Sequence, residues 1–143
     1  MSLAMSKEER EAFLADVHVG VLGVNHGDVP LAVPIWYAYE PGGDVWIIMS
    51  PDSIKGKALN SSGTFSLCAQ SESLPYKYVT VSGKVSAVEE ATTEATRELA
   101  HRYLGPELGD QYVEQTAGTA GSSHLWRLTP DRWYTVDYGK NFG

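Results

Sequence analysis

One stretch of the sequence decides the fold class: Leu31-Ala-Val-Pro-Ile-Trp-Tyr-Ala-Tyr39, then Glu40-Pro-Gly-Gly-Asp44, then Val45-Trp-Ile-Ile-Met-Ser50. The first and last segments are rich in β-branched and aromatic residues, which are enriched in strands. The Pro-Gly-Gly-Asp sequence between them is typical of a turn. The pattern therefore predicts two antiparallel strands, at 31–39 and 45–50, joined by a loop of hairpin length.

Strand-like segments continue on both sides of this pair. Residues 18–24 alternate in part between apolar and other residues, and they end at the turn residues 25–28. Short strands in a mostly hairpin order indicate a mainly β (α+β) fold. We expect a closed or nearly closed antiparallel barrel of six or seven strands, with helices packed outside it. The further strands are predicted at 18–24, 64–70, 76–88, 124–129 and 132–138.

Four segments have helical patterns. The first has Ser6 and Glu9 at the spacing of a capping box. The longest places Ala95, Leu99 and Tyr103 on one face, at i, i+4 and i+8. Helices are predicted at 6–15, 53–60, 90–104 and 108–116.

Two residues mark special positions in the sheet. Pro34 donates no ladder hydrogen bond, so it is expected at an edge or a bulge, where a ligand can meet the backbone. Gly83 interrupts the long strand 76–88. It predicts a bulge or bend of the kind that barrels need at their corners.

Length and charge limit the class of protein. The 143 residues, 43% of them apolar, predict a single folded domain over 6–143. Residues 1–5 are expected to be a cloning remnant or a disordered start, with Met5 as the natural first residue. The net charge of −7 argues against a nucleic-acid binder and against docking on anionic lipid, because both need a basic face.

Cysteine and histidine content limits the chemistry. Cys68 is the only cysteine, so an internal disulfide and a cysteine-based metal cluster are excluded, which fits a reducing cytoplasm. The four histidines show no ligand spacing, and we predict no metal site. The N-terminus is too charged for a signal peptide, and no run approaches the roughly 18 apolar residues of a membrane span.

A short basic turn follows the strand at 45–50. Ser53 is a candidate helix N-cap, which places Lys55 and Lys57 in the first turn, at the positive end of the helix dipole. Each lysine costs a few tenths of a kcal/mol there, and a bound phosphate would reverse the sign of that energy. We interpret the segment as an anion site. The alternative is an exposed basic loop that balances an acidic surface.

Two other segments offer ligand contacts. In the run 34–37, with Trp46 across the hairpin, the residue types favour cross-strand packing in a core; an aromatic surface for a planar ring system is the alternative. The glycine-rich run 118–123 is predicted to be a flexible connector, with a phosphate cradle as the alternative, because it lacks the Gly-Lys-Ser/Thr ending of a nucleotide P-loop. The sequence has no nucleophile elbow and suggests no general acid or base. An enzyme with this sequence would therefore take its reactivity from a cofactor.

Four segments share their order and spacing with a known family: Val33-Pro-Ile-Trp-Tyr37, Ser53-Ile-Lys-Gly-Lys57, Pro75-Tyr-Lys-Tyr-Val-Thr-Val-Ser-Gly83 and Thr129-Pro-Asp-Arg-Trp133. Over roughly residues 10–138 the chain resembles the pyridoxamine 5′-phosphate oxidase-like superfamily of flavin and deazaflavin oxidoreductases. The resemblance implies a split β-barrel that works as a homodimer, with two equivalent cofactor sites at the subunit interface.

The resemblance also implies which residues bind the cofactor. Lys57 stands where an arginine is common in the family, and a lysine is a point charge rather than a bidentate fork, which predicts a looser grip on phosphate. The substrate-binding residues of the true oxidase are not recognisable, so vitamin B6 chemistry is not carried over. The phosphate loop would be Ser53, Lys55 and Lys57; the ring contacts would be Val33, Pro34, Ile35, Trp36, Met49 and Ser50, with Gln70 as a polar contact near the ring.

These features predict a cytoplasmic, dimeric oxidoreductase that binds FMN and transfers a hydride to or from a small organic substrate. No residue is assigned a catalytic role. A reductase that uses a deazaflavin coenzyme of the F420 type is the alternative within the class. The acidic tail of that coenzyme needs a basic groove, for which Lys77, Lys84 and Arg132 are the candidates.

Two readings from other classes stay open. A non-enzymatic flavin or haem binder would draw an axial ligand from His18, His26 or His124. A barrel that has lost its ligand would serve as a dimeric scaffold.

Overall fold

The computed structural model describes residues 2–117 and 123–142 of the chain. The glycine-rich run 118–122 lies outside them, so the connector or phosphate cradle expected there stays a prediction. None of the helices within the described residues is both long enough and apolar enough to cross a membrane. The elements are α1 (Lys7–Ala15), β1 (Gly20–His26), β2 (Val29–Ile35), β3 (Ala38–Tyr39), β4 (Val45–Met49), α2 (Ile54–Ser62), β5 (Thr64–Gln70), β6 (Lys77–Glu90), α3 (Thr93–Thr116), β7 (His124–Asp137) and a 3₁₀ turn, Tyr138–Asn141.

The strands form one antiparallel sheet in the order β2-β1-β5-β6-β7-β4-β3. Its two outermost strands, β2 and β3, are consecutive in the chain and are separated only by Trp36 and Tyr37. So short a link brings the two edges together, and the sheet must roll into a barrel. The fold is the expected mainly β split barrel with flanking helices.

The predicted strand 31–39 is two strands, because the chain crosses from one edge of the sheet to the other in its middle. Tyr37 turns inward at the crossing, where its hydroxyl donates to Leu14 O at 2.7 Å. Its N–H donates to the Tyr103 hydroxyl at 3.0 Å, instead of to a neighbouring strand. Two tyrosines therefore replace the missing ladder bonds at the seam.

The strands predicted at 124–129 and 132–138 are one continuous strand, β7. Its register against β6 shifts next to Gly83, where Ser82 pairs with Arg132 and Gly83 with Pro130. Asp131 is the extra residue of the resulting bulge. A Cβ on Gly83 would lie 2.0 Å from Thr129 O, so only glycine fits there, and the predicted bulge is confirmed.

Apolar side chains from alternate strand positions fill the barrel. Leu59 of α2 is fully buried among them and closes the core from outside the sheet. Each fully buried leucine or valine contributes about 1.5–3 kcal/mol relative to an exposed one. At the N-terminus Met5 is also buried, and its N–H donates to Thr135 Oγ1 at 2.9 Å. The strand residues at the centre of the core include Leu22, Ile47, Leu67, Val79, Val81, Trp126 and Leu128.

Helix α3 is a helical hairpin rather than one rod. Gly105 has φ 82° and ψ 172° and is followed by Pro106, so the chain reverses between the two predicted helices. In the returning arm, Asp110 Oδ1 accepts from His101 Nε2 at 2.8 Å and lies 3.4 Å from Arg97 Nε. The reversal carries residues 106–116 back along the first arm.

Candidate functional site

A cavity of about 400 Å³ lies between the outside of the barrel and α3. Its volume is within the range of small-molecule sites, roughly 300–1,000 Å³. Three of the predicted ring contacts, Pro34, Ile35 and Trp36, belong to its wall. Pro34 lies on the edge strand β2, as its missing N–H predicted. The full lining is Val19, Pro34, Ile35, Trp36, Ile48, Thr96, Leu99 and Tyr112.

Trp36 is the aromatic centre of this cavity. Its ring stacks on Tyr103, with centroids 5.0 Å apart and planes 7° from parallel. On the returning arm of α3, Tyr112 is tilted 50° to Trp36 at 5.3 Å. Trp36 therefore offers an aromatic surface to this cavity, whereas Trp46 lines a neighbouring polar cavity together with Arg102.

The basic turn is the capped start of α2. Ser53 has extended backbone, and its hydroxyl accepts from Gly56 N–H at 3.1 Å and donates to Ser50 O at 2.8 Å. The first turn contains no acidic residue. Helix geometry leaves the N–H groups of Ile54 and Lys55 without an intrahelical acceptor. An anion placed here would meet free donors and the positive end of the helix dipole.

Close packing ties this helix start to the end of β4. A Cβ on Gly56 would lie 2.2 Å from Ser50 O and 3.1 Å from Pro51 C, so only glycine permits the approach. Ser50 comes two residues after Ile48, which lines the cavity. The short segment from Ile48 to Gly56 therefore connects the cavity wall to the basic turn.

The two lysines occupy different environments. Lys55 is half-buried and Lys57 is exposed, which agrees with the roughly 200° between positions two apart on a helix. Within residues 2–117 and 123–142, neither lysine forms an ion pair. Both ammonium groups are available to an added anion.

The remaining predicted contacts differ in their burial and in their position relative to the cavity. Val33 is half-buried and packs on the barrel core. Met49 is 5% exposed and also belongs to the core, while its carbonyl accepts from Trp126 Nε1 at 3.2 Å. The carbonyl of Ser50 accepts from the hydroxyl of Ser53, the N-cap of α2. Gln70 is exposed at the end of β5, opposite Tyr78, and is not part of the cavity wall.

Five wall residues were not among the predicted contacts. Alternation along β4 points to Ile48, because Ile47 and Met49 face the core. Leu99 lies on the apolar row that defined the longest predicted helix. No local signal marks Tyr112, because only the reversal at Gly105 brings it to the cavity. The five residues are Val19, Ile48, Thr96, Leu99 and Tyr112.

The candidates for the alternative cofactors lie elsewhere. Lys84 and Arg132 share a cavity of about 280 Å³ with Asp131. Lys77 is at the far end of β6, roughly 23 Å from Lys84 by strand rise. The described residues of the cavity wall at Trp36 include no histidine. His18 Nε2 is 3.0 Å from Phe13 O, and His26 and His124 lie at strand ends.

The tyrosines at the seam remain protonated at neutral pH. Burial raises the pKa of the Tyr37 hydroxyl, and Tyr103 adds to that rise. Burial likewise raises the pKa of Tyr103, although its hydrogen bond to the Tyr37 backbone opposes the change. Both phenols therefore act as neutral hydrogen-bonding groups at the seam, not as bases.

A rolled seven-stranded antiparallel sheet, split between β2 and β3, defines the class of split-barrel proteins. The sequence matches the family model described as pyridoxamine 5′-phosphate oxidase over residues 6–135, and the chain belongs to that family. A search of curated proteins gives no match.

Solved structures with the same fold include a conserved hypothetical protein of Mycobacterium tuberculosis. It is 21% identical, with a TM-score of 0.77 over 99% of this chain and 91% of that one. An F420 reductase is 18% identical, with a TM-score of 0.70 over 87% and 94%. The FAD and heme binding protein from Mycobacterium smegmatis is 18% identical, with a TM-score of 0.66 over 92% and 71%. At these identities the likeness establishes the fold alone.

Proposed function

We propose that the chain is a flavin-dependent oxidoreductase that binds FMN and transfers a hydride to or from a small organic substrate. One observation carries the proposal: the segment from Ile48 to Gly56 joins an apolar, aromatic cavity to a capped helix start whose two lysines form no ion pair with the described residues. That arrangement suits a molecule with a flat ring system at one end and a phosphate at the other. The F420 reductase and the FAD and heme binding protein among its structural neighbours support a flavin-type cofactor.

The ring system would lie at the cavity mouth, along the outer edge of β2. An edge strand offers backbone N–H and C=O groups that no second strand has paired, and these can bind the polar edge of a flavin. The C=O of Pro34 and the N–H of Trp36 would supply those groups, because the missing N–H of Pro34 lies on the free edge and the backbone groups of Val33 and Ile35 then point towards β1. Ser50 would reach the ring from the end of β4, and Met49 would contribute only its backbone because its side chain is buried.

The phosphate would lie on the first turn of α2. Lys55 and Lys57 supply charge, and the free N–H groups of the turn supply directed hydrogen bonds. Because Ser53 already accepts from Gly56 and donates to Ser50 O, its hydroxyl fixes the turn.

FMN, when bound, supplies the hydride chemistry. The chain's own part is to orient the ring against β2, to exclude water with the wall of α3 and to hold the phosphate. Among the described residues that line the cavity, none has a charged side chain. We accordingly assign no catalytic residue.

Reconstitution tests the cofactor. The purified protein, titrated separately with FMN, F420 and haem, is expected to bind FMN most tightly and to show two flavin bands in the near-UV and blue. Ligand at 100 times Kd should raise the free energy of unfolding by about 2.7 kcal/mol, seen as a thermal shift. No shift with any of the three would favour a scaffold that has lost its ligand, and a Soret band would favour a haem protein.

An F420-type deazaflavin is the second candidate. One observation favours it: Lys84 and Arg132 line one cavity and could receive part of an acidic tail. Asp131 in the same cavity and the distance to Lys77 weaken that case. Tighter binding of F420 than of FMN in the same titration would select it.

We propose that two chains associate through the outer face of β1, β5, β6 and β7. Strand register aligns Val21, Cys68, Thr80 and Tyr134 in one row across this face. Tyr134 is 65% exposed and Val21 is 42% exposed, and none of the four carries a charge. Two chains of net charge −7 repel each other overall, so a row without charged side chains favours their close approach. Gln70, on this side of the sheet, would then approach the ring held by the partner subunit.

The substitution Thr80→Arg is expected to convert the dimer to a monomer, because it places two like charges in the middle of a symmetric contact. Light scattering during gel filtration measures the mass. Ser61→Arg, at an exposed position of α2, is the control and should leave the mass unchanged. A wild-type chain that runs as a monomer, or a Thr80→Arg chain that remains a dimer, would reject this face.

A further inference from the structure

We propose that Tyr103 is a positioning residue of the cofactor site, which fixes the ring of Trp36 and the peptide unit that follows it. The proposal rests on the proposed function, because Tyr103 acts through a residue that would contact the bound cofactor. The described residues of the cavity wall do not include Tyr103 itself. It acts from helix α3, and two kinds of contact with the link between β2 and β3 carry the inference.

Trp36 lies where the sheet no longer holds the chain. The ladder between β1 and β2 ends at Ile35, which pairs with Gly20, and β3 begins at Ala38. Trp36 is therefore one of two link residues, and it is half-buried, with part of its surface in the cavity wall. A side chain in such a link is ordered only as far as its neighbours restrict its rotamers.

The ring of Tyr103 supplies that restriction. It lies parallel to Trp36 within 7°, with the centroids 5.0 Å apart, which is the offset stack that aromatic pairs favour. Tyr112 also contacts Trp36, but its ring is tilted by 50° and its side chain is 38% exposed. The parallel contact with Tyr103 therefore sets the plane of the Trp36 ring.

The hydroxyl of Tyr103 holds the backbone of the same link. It accepts from Tyr37 N–H at 3.0 Å and donates to His18 O, and Tyr37 O is 3.1 Å away. These contacts fix the peptide unit that joins Trp36 to Tyr37. One residue of α3 thus holds Trp36 through both its side chain and its backbone.

Tyr103 is itself anchored by its neighbour in the helix. Arg102 Nη2 donates to Ala15 O at 3.1 Å and to Asp16 O at 3.0 Å, at the end of α1. The guanidinium of Arg102 also lies 5.8 Å from the centre of the Tyr103 ring. The first arm of α3 is therefore tied to α1 next to Tyr103, so it can impose a fixed position on Trp36.

In the proposed complex Trp36 offers the cofactor a ring face and the N–H on the free edge of β2. The orientation of both groups depends on Tyr103. A shift of about 1 Å in a positioning contact can cost a hundredfold in rate. Loosening Trp36 should therefore weaken cofactor binding and alter the orientation of the bound ring, while the basic turn of α2 stays as it is.

Titration of the full chain with FMN separates the ring of Tyr103 from its hydroxyl. Tyr103→Phe keeps the stack and removes the hydrogen bonds, whereas Tyr103→Leu removes both. The Kd for FMN should be at least about fivefold higher in Tyr103→Leu than in Tyr103→Phe. In a Trp36→Leu background the same two substitutions should differ by less than about twofold, because the ring then has nothing to position.

Circular dichroism gives a readout that a loss of stability alone does not move. The visible spectrum of bound FMN should change shape in Tyr103→Leu and be retained in Tyr103→Phe. In the ligand-free protein, the near-UV signal that Trp36→Leu removes should persist in Tyr103→Phe and be absent in Tyr103→Leu. Phe65→Leu, another ring-to-leucine change, is the control in the core; it should lower stability and leave the Kd and the flavin spectrum unchanged.

Separate outcomes distinguish this inference from the proposed function. Equal FMN affinity in Tyr103→Phe and Tyr103→Leu, or the same difference between them with and without Trp36, would overturn the positioning role and leave the flavin site intact. A Trp36 signal that persists in Tyr103→Leu would also overturn it. A wild-type chain that binds no FMN would reject the proposed function, and the near-UV spectra would still decide whether Tyr103 orders Trp36.

Discussion

Reversing both charges of the basic turn, Lys55→Glu with Lys57→Glu, is expected to lower FMN affinity at least about a hundredfold, or roughly 2.7 kcal/mol. Two hydrogen-bonding cations next to the phosphate become two anions that repel it. Stability should not fall, because acidic side chains at a helix N-terminus interact favourably with the dipole. Calorimetric titration with FMN and a denaturant melt of the ligand-free protein measure the two quantities separately.

A charge-matched variant controls for the general field of the protein. Lys7→Glu with Lys140→Glu makes the same change in net charge and disrupts two surface ion pairs, with Glu11 and Glu9. It should alter FMN affinity by less than about threefold, because the exposed charges are screened by salt. Equal losses in the two double variants would show that net charge, not a local phosphate site, governs binding.

Gly56→Ala is expected to destabilise the protein by about 2 kcal/mol and also to weaken FMN binding. Alanine favours a helix by up to about 1 kcal/mol over glycine, but here its methyl group would lie 2.2 Å from Ser50 O. Relieving that overlap moves the start of α2 away from β4, at a typical overpacking cost of about 1–3 kcal/mol or more. Chemical denaturation at fixed protein concentration measures the stability.

Gly23→Ala is the matched control for this substitution. Its new methyl group would meet Ser66 Cβ at 3.6 Å, an ordinary contact, so the loss should be under about 1 kcal/mol. A Gly56→Ala protein as stable as the wild type would contradict the close packing of the helix start on Ser50. The two changes act differently. The double lysine substitution reverses the charge of an intact turn, whereas Gly56→Ala displaces the turn.

Much of the sheet was predictable because strand-forming residues and turn residues are recognised from a few neighbouring positions in the sequence. Pro34 lacks an N–H, which restricts it to an edge whatever the rest of the chain does. Gly83 marks the bulge because the approach of Thr129 O excludes a side chain. The basic turn was equally readable, since the N-cap Ser53 and the two lysines lie within the five positions 53–57 and the first turn contains no acidic residue.

The predictions that were wrong concern where a strand breaks and where it continues. The strand 31–39 breaks where Tyr37 leaves the ladder, and β7 continues where Pro130 suggested an end. In the first case the backbone N–H of Tyr37 donates to the hydroxyl of Tyr103, which is 66 residues away in the chain. In the second, a bulge on β7 absorbs Asp131 without ending the pairing. Neither partner is visible in a local pattern of apolar and polar residues.

The sequence by itself determined the antiparallel strands, the edge position of Pro34 and the capped basic turn, because propensity, turn chemistry and capping act over a few residues. Only the tertiary structure decided that β2 and β3 meet, that Ile48 replaces Met49 in the cavity wall and that Tyr112 faces Trp36. Those placements depend on contacts between residues far apart in the chain, chiefly the Tyr37–Tyr103 bond and the reversal at Gly105. Local periodicity states which face of an element is apolar, and it does not state which other element covers that face.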